Sequence, residues 1–283
     1  MLLDNERLCV PRDELPLTDH AFDLARWLSH EAPLIEAIGR ADFPARLLES
    51  VFAAVPIDTA FIVAHVPARP PAMLEAGRVL PERREEIQRY LVGPYLLDPV
   101  RQACIEGRRG VLRLADIAPD GFQASEYYRS FYVSHGLADE VNILIDLAGA
   151  GGLALSMGRL AGHGAFAAEE LARLQAIEPL VGAAARRHWG AVLVDGVGEG
   201  QALHRQLERA FERFGEGCLT EREAEVARLI LRGHSSKSVA HALAISTDTV
   251  GVHRKNIHAK LGISSQGELF SLFIASVTAS GVA

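Results

Sequence analysis

Between Ser246 and Gly262, the residues Asp248, Gly251, Val252 and Lys255 fall on one side of a helical wheel turned by about 100° per residue. Val250, Ile257 and Leu261 fall on the other side, with His253 and Arg254 at the flanks. A wet face with an ammonium, a carboxylate and small side chains suits hydrogen bonding and ion pairing in a charged groove one helix wide. The major groove of duplex DNA, about 12 Å across, is such a groove. Bond-making chemistry has no comparable support, because no nucleophile is set beside a base. His234, His241, His253 and His258 fall within 25 residues, but at the spacing of ordinary helix positions. Cys9, Cys104 and Cys218 form no C-x-x-C pair and read as reduced thiols. No catalytic residue, metal site or cofactor is expected, so the chain reads as a binding protein rather than an enzyme.

The elements that must hold this face can be marked by their starts and stops. Thr220 stands three residues before Glu223, the spacing of a reciprocal capping box, and opens a helix that ends at Gly233. Ala224, Ala227, Leu229, Ile230 and Leu231 give that helix an apolar stripe. Ser235 caps a short helix from about Ser236 to Leu243, and Ala244 and Ile245 make a tight connection. Ser246 caps the third helix, and Gly262 closes it at a position where a left-handed residue costs little. Ser265 and Glu268 repeat the capping-box spacing before a fourth helix rich in Leu269, Phe270, Leu272, Phe273 and Ile274.

This block resembles the LuxR-type helix-turn-helix domain. The pattern L-T-x-R-E-x-E-V, a Gly, S-x-K, I-S-x-x-T-V-x-x-H and K-L-G is met by Leu219, Thr220, Arg222, Glu223, Glu225, Val226, Gly233, Ser235, Lys237, Ile245, Ser246, Thr249, Val250, His253, Lys260, Leu261 and Gly262. The resemblance implies that the third helix reads double-stranded DNA and that the fourth serves as a homodimer contact. It puts His253 near DNA phosphate and adds Lys237 to the DNA-contacting set. Two departures stand out: Ser236 and Ser238 replace the usual Asn and Glu, and Gly251 stands where many members carry a Lys that touches DNA. Recognition is therefore expected to fall on Thr247, Thr249, Val252 and Lys255, with Lys237 and His253 beside them.

At 283 residues, 49% hydrophobic and 23% charged, the chain reads as globular with two domains. No apolar run reaches the roughly 18 residues of a membrane span, and the opening MLLDNERLCVPRDE lacks a signal peptide's apolar core, so a cytoplasmic location without membrane contact is expected. Of 29 Lys plus Arg and 36 Asp plus Glu, seven and five fall from Gly217 onward. A slightly basic module thus follows an acidic body, which suits contact with phosphate through one face. The expected organisation is a sensory domain over 1–192, a linker with a linker helix over 193–216, and the helix-turn-helix domain over 217–283. In the linker, DGVGEG is a flexible joint, and Leu203, Leu207, Ala210, Phe211 and Phe214 fall at helical spacing.

The first part alternates helical and extended stretches. Helices are expected within Asp19 to Ser50, broken near Pro33 and Pro44, then from Pro81 to Leu91, Pro99 to Glu106, about Ala124 to Gly136, and Ala167 to Trp189. Strands are expected at Asp58–Val66, Met73–Ala76, Gly110–Ile117, Val141–Leu147 and Gly152–Met157, the last two joined as a hairpin by AGAGG. This order implies an α+β domain, an antiparallel sheet of about five strands flanked by helices, followed by the all-α four-helix unit. It resembles GAF/PAS-like sensory domains, among them the autoinducer-binding domains that precede LuxR-type DNA-binding domains. YLLDPV, Tyr95 to Val100, is similar to the aromatic-x-x-Asp-Pro-Val segment of acyl-homoserine-lactone receptors, whose Asp accepts a bond from the ligand amide; that position is Asp98. Of the Trp-x-x-x-Tyr those receptors carry upstream, this chain has only Tyr90, with Glu86 four before it. Tyr128 belongs to an aromatic group with Tyr127, Phe131 and Tyr132 that reads either as core or as part of a small-molecule pocket.

Together these readings point to a sequence-specific transcriptional regulator, controlled by a small-molecule effector and working as a homodimer, with RNA polymerase as a further partner. Two alternatives stand beside it: an adaptor that keeps the DNA-binding fold but acts by protein contact, and a regulator driven by phosphorylation.

Overall fold

The computed structural model describes residues 22–78, 89–91, 93–147, 151–195 and 201–281. In chain order the elements are helices α1 (Leu24–Glu36) and α2 (Phe43–Ala54), strands β1 (Thr59–His65) and β2 (Ala72–Arg78), α3 (Pro99–Ile105), β3 (Gly110–Arg113), α4 (Glu126–Phe131), β4 (Leu137–Asp146) and β5 (Gly152–Leu160). Then follow α5 (Ala168–Asp195), α6 (Gln201–Glu212), α7 (Glu221–Leu231), α8 (Ser236–Ala242), α9 (Thr247–Leu261) and α10 (Gln266–Gly281). The chain forms two compact units that do not follow chain order. The first gathers Met1–Glu85, Val100–Asp116 and His135–Gly198; the second gathers Glu86–Pro99, Ile117–Ser134 and Glu199–Ala283.

The first unit is built on an antiparallel sheet in the order β2-β1-β5-β4-β3. Because strand side chains alternate, Ala60, Ile62 and Ala64, Val141, Ile143 and Ile145, and Leu153, Leu155 and Met157 all reach one face, where they meet Leu34 of α1, Leu47 of α2 and Val181 of α5. Phe43 closes this core, stacked on His188 at 4.1 Å and edge-on to Trp189 at 5.2 Å. The opposite face carries a buried polar row. Ser156 donates to Asn142 at 2.6 Å, and Asn142 donates to Glu140 at 3.0 Å, so the row is internally bonded. Arg113 ties the sheet edge to the start of α5, donating to Asp139 at 2.7 Å and to the Phe166 carbonyl at 2.6 Å.

The expected α+β order holds, with local differences. Pro33 does not break a helix but lies inside α1. The bond it forgoes would have gone to Ser29, an exposed residue whose carbonyl can turn to water. Pro44 sits in the first turn of α2, where no donor is lost. The strand expected over Gly110–Ile117 stops at Arg113, and Leu114–Ile117 make one helical turn. The last β3–β4 pair is Arg113 with Val141, and Leu114 is buried as that helical turn begins. The helix expected to reach Gly136 ends at Phe131 and passes through a tighter turn at Val133–His135. The lead-in over 1–16 and the joint over 196–200 lie outside the described residues, as does most of the helix expected from Pro81, of which Arg89 to Leu91 are helical. Among the described residues no helix is long and apolar enough to cross a membrane.

In the second unit, Leu207 and Phe211 of α6 are buried together with Phe214 just beyond its end, and Phe273 of α10 stands edge-on to Phe211 at 5.3 Å and to Phe214 at 5.9 Å. Val226 and Ile230 of α7, Val239 of α8, Val250 and Ile257 of α9, and Leu269 and Phe273 of α10 supply the helical core. The capping box at Thr220 and Glu223 is complete in both directions. The one at α10 is half made: Glu268 N–H donates to Ser265 Oγ, but the Glu268 carboxylate accepts from the amide of Ser264, one residue earlier than expected.

Glu223 does more than cap. Its carboxylate, 4% exposed, also takes the Lys260 ammonium at 2.7 Å, joining the start of α7 to the end of α9. Lys260 and then the Thr220 amide hold it at about pKa 2, below its ordinary 4.5. A depressed acid stabilises the fold fully above its unfolded pKa and loses that contribution as pH falls through the folded one. Glu223→Gln is therefore expected to lower the denaturant midpoint at pH 7, with the gap to wild type closing as pH falls from about 5 to about 2; a gap independent of pH would contradict this. Between α8 and α9, Ala244 adopts φ 53°, while Ile245 N–H reaches the Ala240 carbonyl at 3.0 Å and Ala244 N–H the His241 carbonyl at 3.3 Å. A β-branched side chain fits this backbone poorly, so Ala244→Val is expected to destabilise by about 1–2 kcal/mol and Ala244→Gly to be neutral or slightly stabilising, read by thermal and denaturant unfolding.

Candidate nucleic-acid interface

The exposed face of α9 starts from a cap. Ser246 accepts the Thr249 amide at 3.0 Å, and its hydroxyl lies 2.9 Å from that of Thr249, so the first turn of α9 is fixed before any partner arrives. Gly262, at φ 66°, ends the helix fifteen residues later. Val250 and Ile257 are fully buried beneath it. Thr247, Asp248, Thr249 and Lys255 are exposed, and Val252 presents 56% of its surface to solvent. An exposed Val among polar neighbours offers an apolar contact of the kind a thymine methyl accepts. Gly251 lies between them, and a Cβ built on it meets nothing within 4 Å, so packing does not require the glycine. His253 is half-buried, and its Nδ1 is buried without a hydrogen-bond partner, which leaves the other ring nitrogen for contact.

Helix α8 lies next to it in the chain. Lys237, its second residue, is exposed. Ser235 caps it by accepting the Ser238 amide at 3.2 Å, and the Ser238 hydroxyl is bonded to His234 Nδ1 at 2.6 Å. Ser238, one of the two departures from the family pattern, is thus still bonded at the helix start. Arg222 of α7 donates to the Leu243 carbonyl at the end of α8 and to Glu225 at 2.7 Å, bracing the turn into α9.

The residues expected around an effector come together elsewhere in the second unit. Tyr90 donates its hydroxyl to Asp98 at 2.7 Å, and its ring stands edge-on to Tyr95 at 6.2 Å and to Phe131 at 6.3 Å. Through Phe131 the contacts run to Tyr127, Phe122, Tyr132 and Tyr128, the last two stacked at 5.2 Å. Tyr95 is fully buried, and its hydroxyl pairs with His204 Nδ1 at 2.7 Å. The other nitrogen of His204 meets Glu208 at 2.9 Å. The role of His204 and Glu208 was not legible in the sequence, where they look like two polar positions of an amphipathic helix; the i, i+4 spacing alone hints at a pair. Asp120 was also missed. It accepts the Ser235 amide at 3.0 Å and the Ser235 hydroxyl at 2.5 Å, and these bonds hold its carboxyl below the usual range.

Residues 218–273 match the family model described as bacterial regulatory proteins, luxR family. A putative HTH-type transcriptional regulator from the exeN 3′ region of Aeromonas salmonicida is 34% identical over 183 residues, which cover 62% of this chain and 93% of that protein. The transcriptional regulatory protein MctR of Rhizobium johnstonii is 43% identical over 60 residues, 20% of this chain and 28% of its own length. Among solved structures, the VqsR LBD domain of Pseudomonas aeruginosa is similar, with a TM-score of 0.51 and 28% identity over 60% of this chain and 98% of that domain. The match therefore extends well beyond the helical block, across nearly the whole length of a regulator, and the chain belongs to the LuxR family of DNA-binding transcriptional regulators.

Proposed function

We propose that this regulator reads duplex DNA with the exposed face of α9 and is controlled by a small molecule held against the aromatic cluster of the second unit. The observation that carries the first half is the bare, pre-capped face of α9, with Lys255, Val252, Thr247 and Thr249 exposed over a buried Val250 and Ile257. Thr247, Thr249 and Val252 are assigned to base edges, and Lys237, His253 and Lys255 to phosphates and the groove rim. For the second half, Tyr90, Tyr95, Asp98 and Tyr128 are assigned to the effector, with the Asp98 carboxylate as its hydrogen-bond acceptor. The similarity to the VqsR LBD domain supports this assignment.

The working unit is a homodimer that brings two copies of α9 to half-sites about one helical turn apart. Leu272 of α10, 39% exposed, suits a contact between copies. Sensing is assigned to 1–192, a linker to 193–216 and DNA binding to 217–283. The protein works in the cytoplasm, where its DNA is, and RNA polymerase is the partner through which it acts on transcription.

Two experiments test this reading. Lys255→Ala is expected to weaken binding to the chain's own upstream DNA and to lower the salt slope of log K by about 0.9, and Gly251→Lys to raise both; fluorescence anisotropy over a salt series reads them, and unchanged affinity and slope in both variants would sink the assignment. Native mass spectrometry of gently purified protein is expected to show added small-molecule mass that Tyr90→Phe combined with Asp98→Asn removes. An added mass that survives that double change would contradict the effector site.

A further inference from the structure

We propose that Asp120, Gly121 and Phe122 form an intrachain clasp on the turn between α7 and α8 that competes with DNA, a regulation that rests on the reading of α8 and α9 as the DNA-binding helices. All the groups involved lie in the second unit. Asp120 takes both donors of Ser235, the backbone N–H at 3.0 Å and the hydroxyl at 2.5 Å. While those bonds stand, neither donor can serve a phosphate, and a carboxylate occupies the turn that leads to Lys237. A phosphate brought to that turn would meet a like charge. The clasp and the DNA backbone therefore exclude each other there.

The approach of the two backbones is the second observation, and it is independent of the first. A Cβ on Gly121 would lie 2.9 Å from the Gly233 carbonyl oxygen and 2.9 Å from the Ser235 nitrogen. A Cβ on Gly233 would lie 2.8 Å from the Phe122 Cα. Gly233 needs to be glycine anyway, because it closes α7 at φ 91°. Gly121 does not: its φ of −100° suits any residue, so the contact alone accounts for the missing side chain. Phe122, next in the chain, is buried and packs on Tyr127, Tyr128 and Tyr132. One short segment thus holds α8 at one end and the proposed effector aromatics at the other, so a molecule that rearranges the aromatics shifts the clasp.

The test uses the full chain with Asp120→Asn and Gly121→Ala, each with circular dichroism to confirm folding. Asp120→Asn keeps the side-chain volume and carries the test should the alanine disturb the fold. Both variants are expected to show faster amide exchange at Ser235 and to bind a duplex of about 30 base pairs from the chain's upstream region about tenfold tighter than wild type, the gain expected when a mostly closed state is opened. Unchanged exchange at Ser235, or faster exchange without tighter binding, would overturn the clasp. Failure of the DNA reading has its own signature: Lys255→Ala would leave affinity unchanged in the Gly121→Ala background as well, which would overturn both.

Discussion

The orientation of α9 is held by two charged side chains of α7, above all the Glu223 carboxylate. Only Val250 and Ile257 of its fifteen residues are buried, and they lie seven apart on one stripe. Two apolar anchors about 10 Å apart along a helix resist tilting but leave it able to roll and slide. Glu223 removes that freedom by receiving Lys260 from the last turn while it closes the first turn of α7. Arg222, one residue earlier, fastens the turn at the other end of α9 through Leu243. Two adjacent residues of α7 therefore hold both ends of α9. The exposed face gains its direction from charges that lie behind it.

The second unit draws together segments far apart in the chain. Tyr95 and Asp98 come from Glu86–Pro99, the aromatic group from Ile117–Ser134, and His204 from α6. The Tyr95–His204–Glu208 chain of contacts makes α6 part of the same packed body as the proposed effector residues. A ligand can move an equilibrium only by as much as its affinity differs between two arrangements. Here the residues that would feel the ligand and those that hold α8 share one short segment, so a difference in aromatic packing has a direct route to the DNA-binding helices.

What the sequence disclosed was mostly local. Thr220 with Glu223, Ser235, Ser246 and Gly262 all act within four residues of themselves, and each stands where its type predicts. The sheet was legible too, since alternating apolar runs have few other uses, although β4 and β5 run longer than their apolar cores. Pro33 misled because the one bond it gives up lies on the exposed side of α1, at Ser29, where water replaces it. Asp120 and His204 were invisible for a different reason. Their partners lie 115 and 109 residues away, and no spacing rule reaches that far. The glycine at 121 carried the trace of such a contact, but without the partner it looks like any loop glycine.

The central claim is that this chain reads specific duplex DNA as a pair of α9 helices. Hydroxyl-radical footprinting of the full-length protein on its own upstream region at low salt tests it most directly. Two protected patches about one helical turn apart, on the same face of the duplex, are the expected result. Uniform cleavage at protein concentrations that saturate nonspecific binding would contradict it.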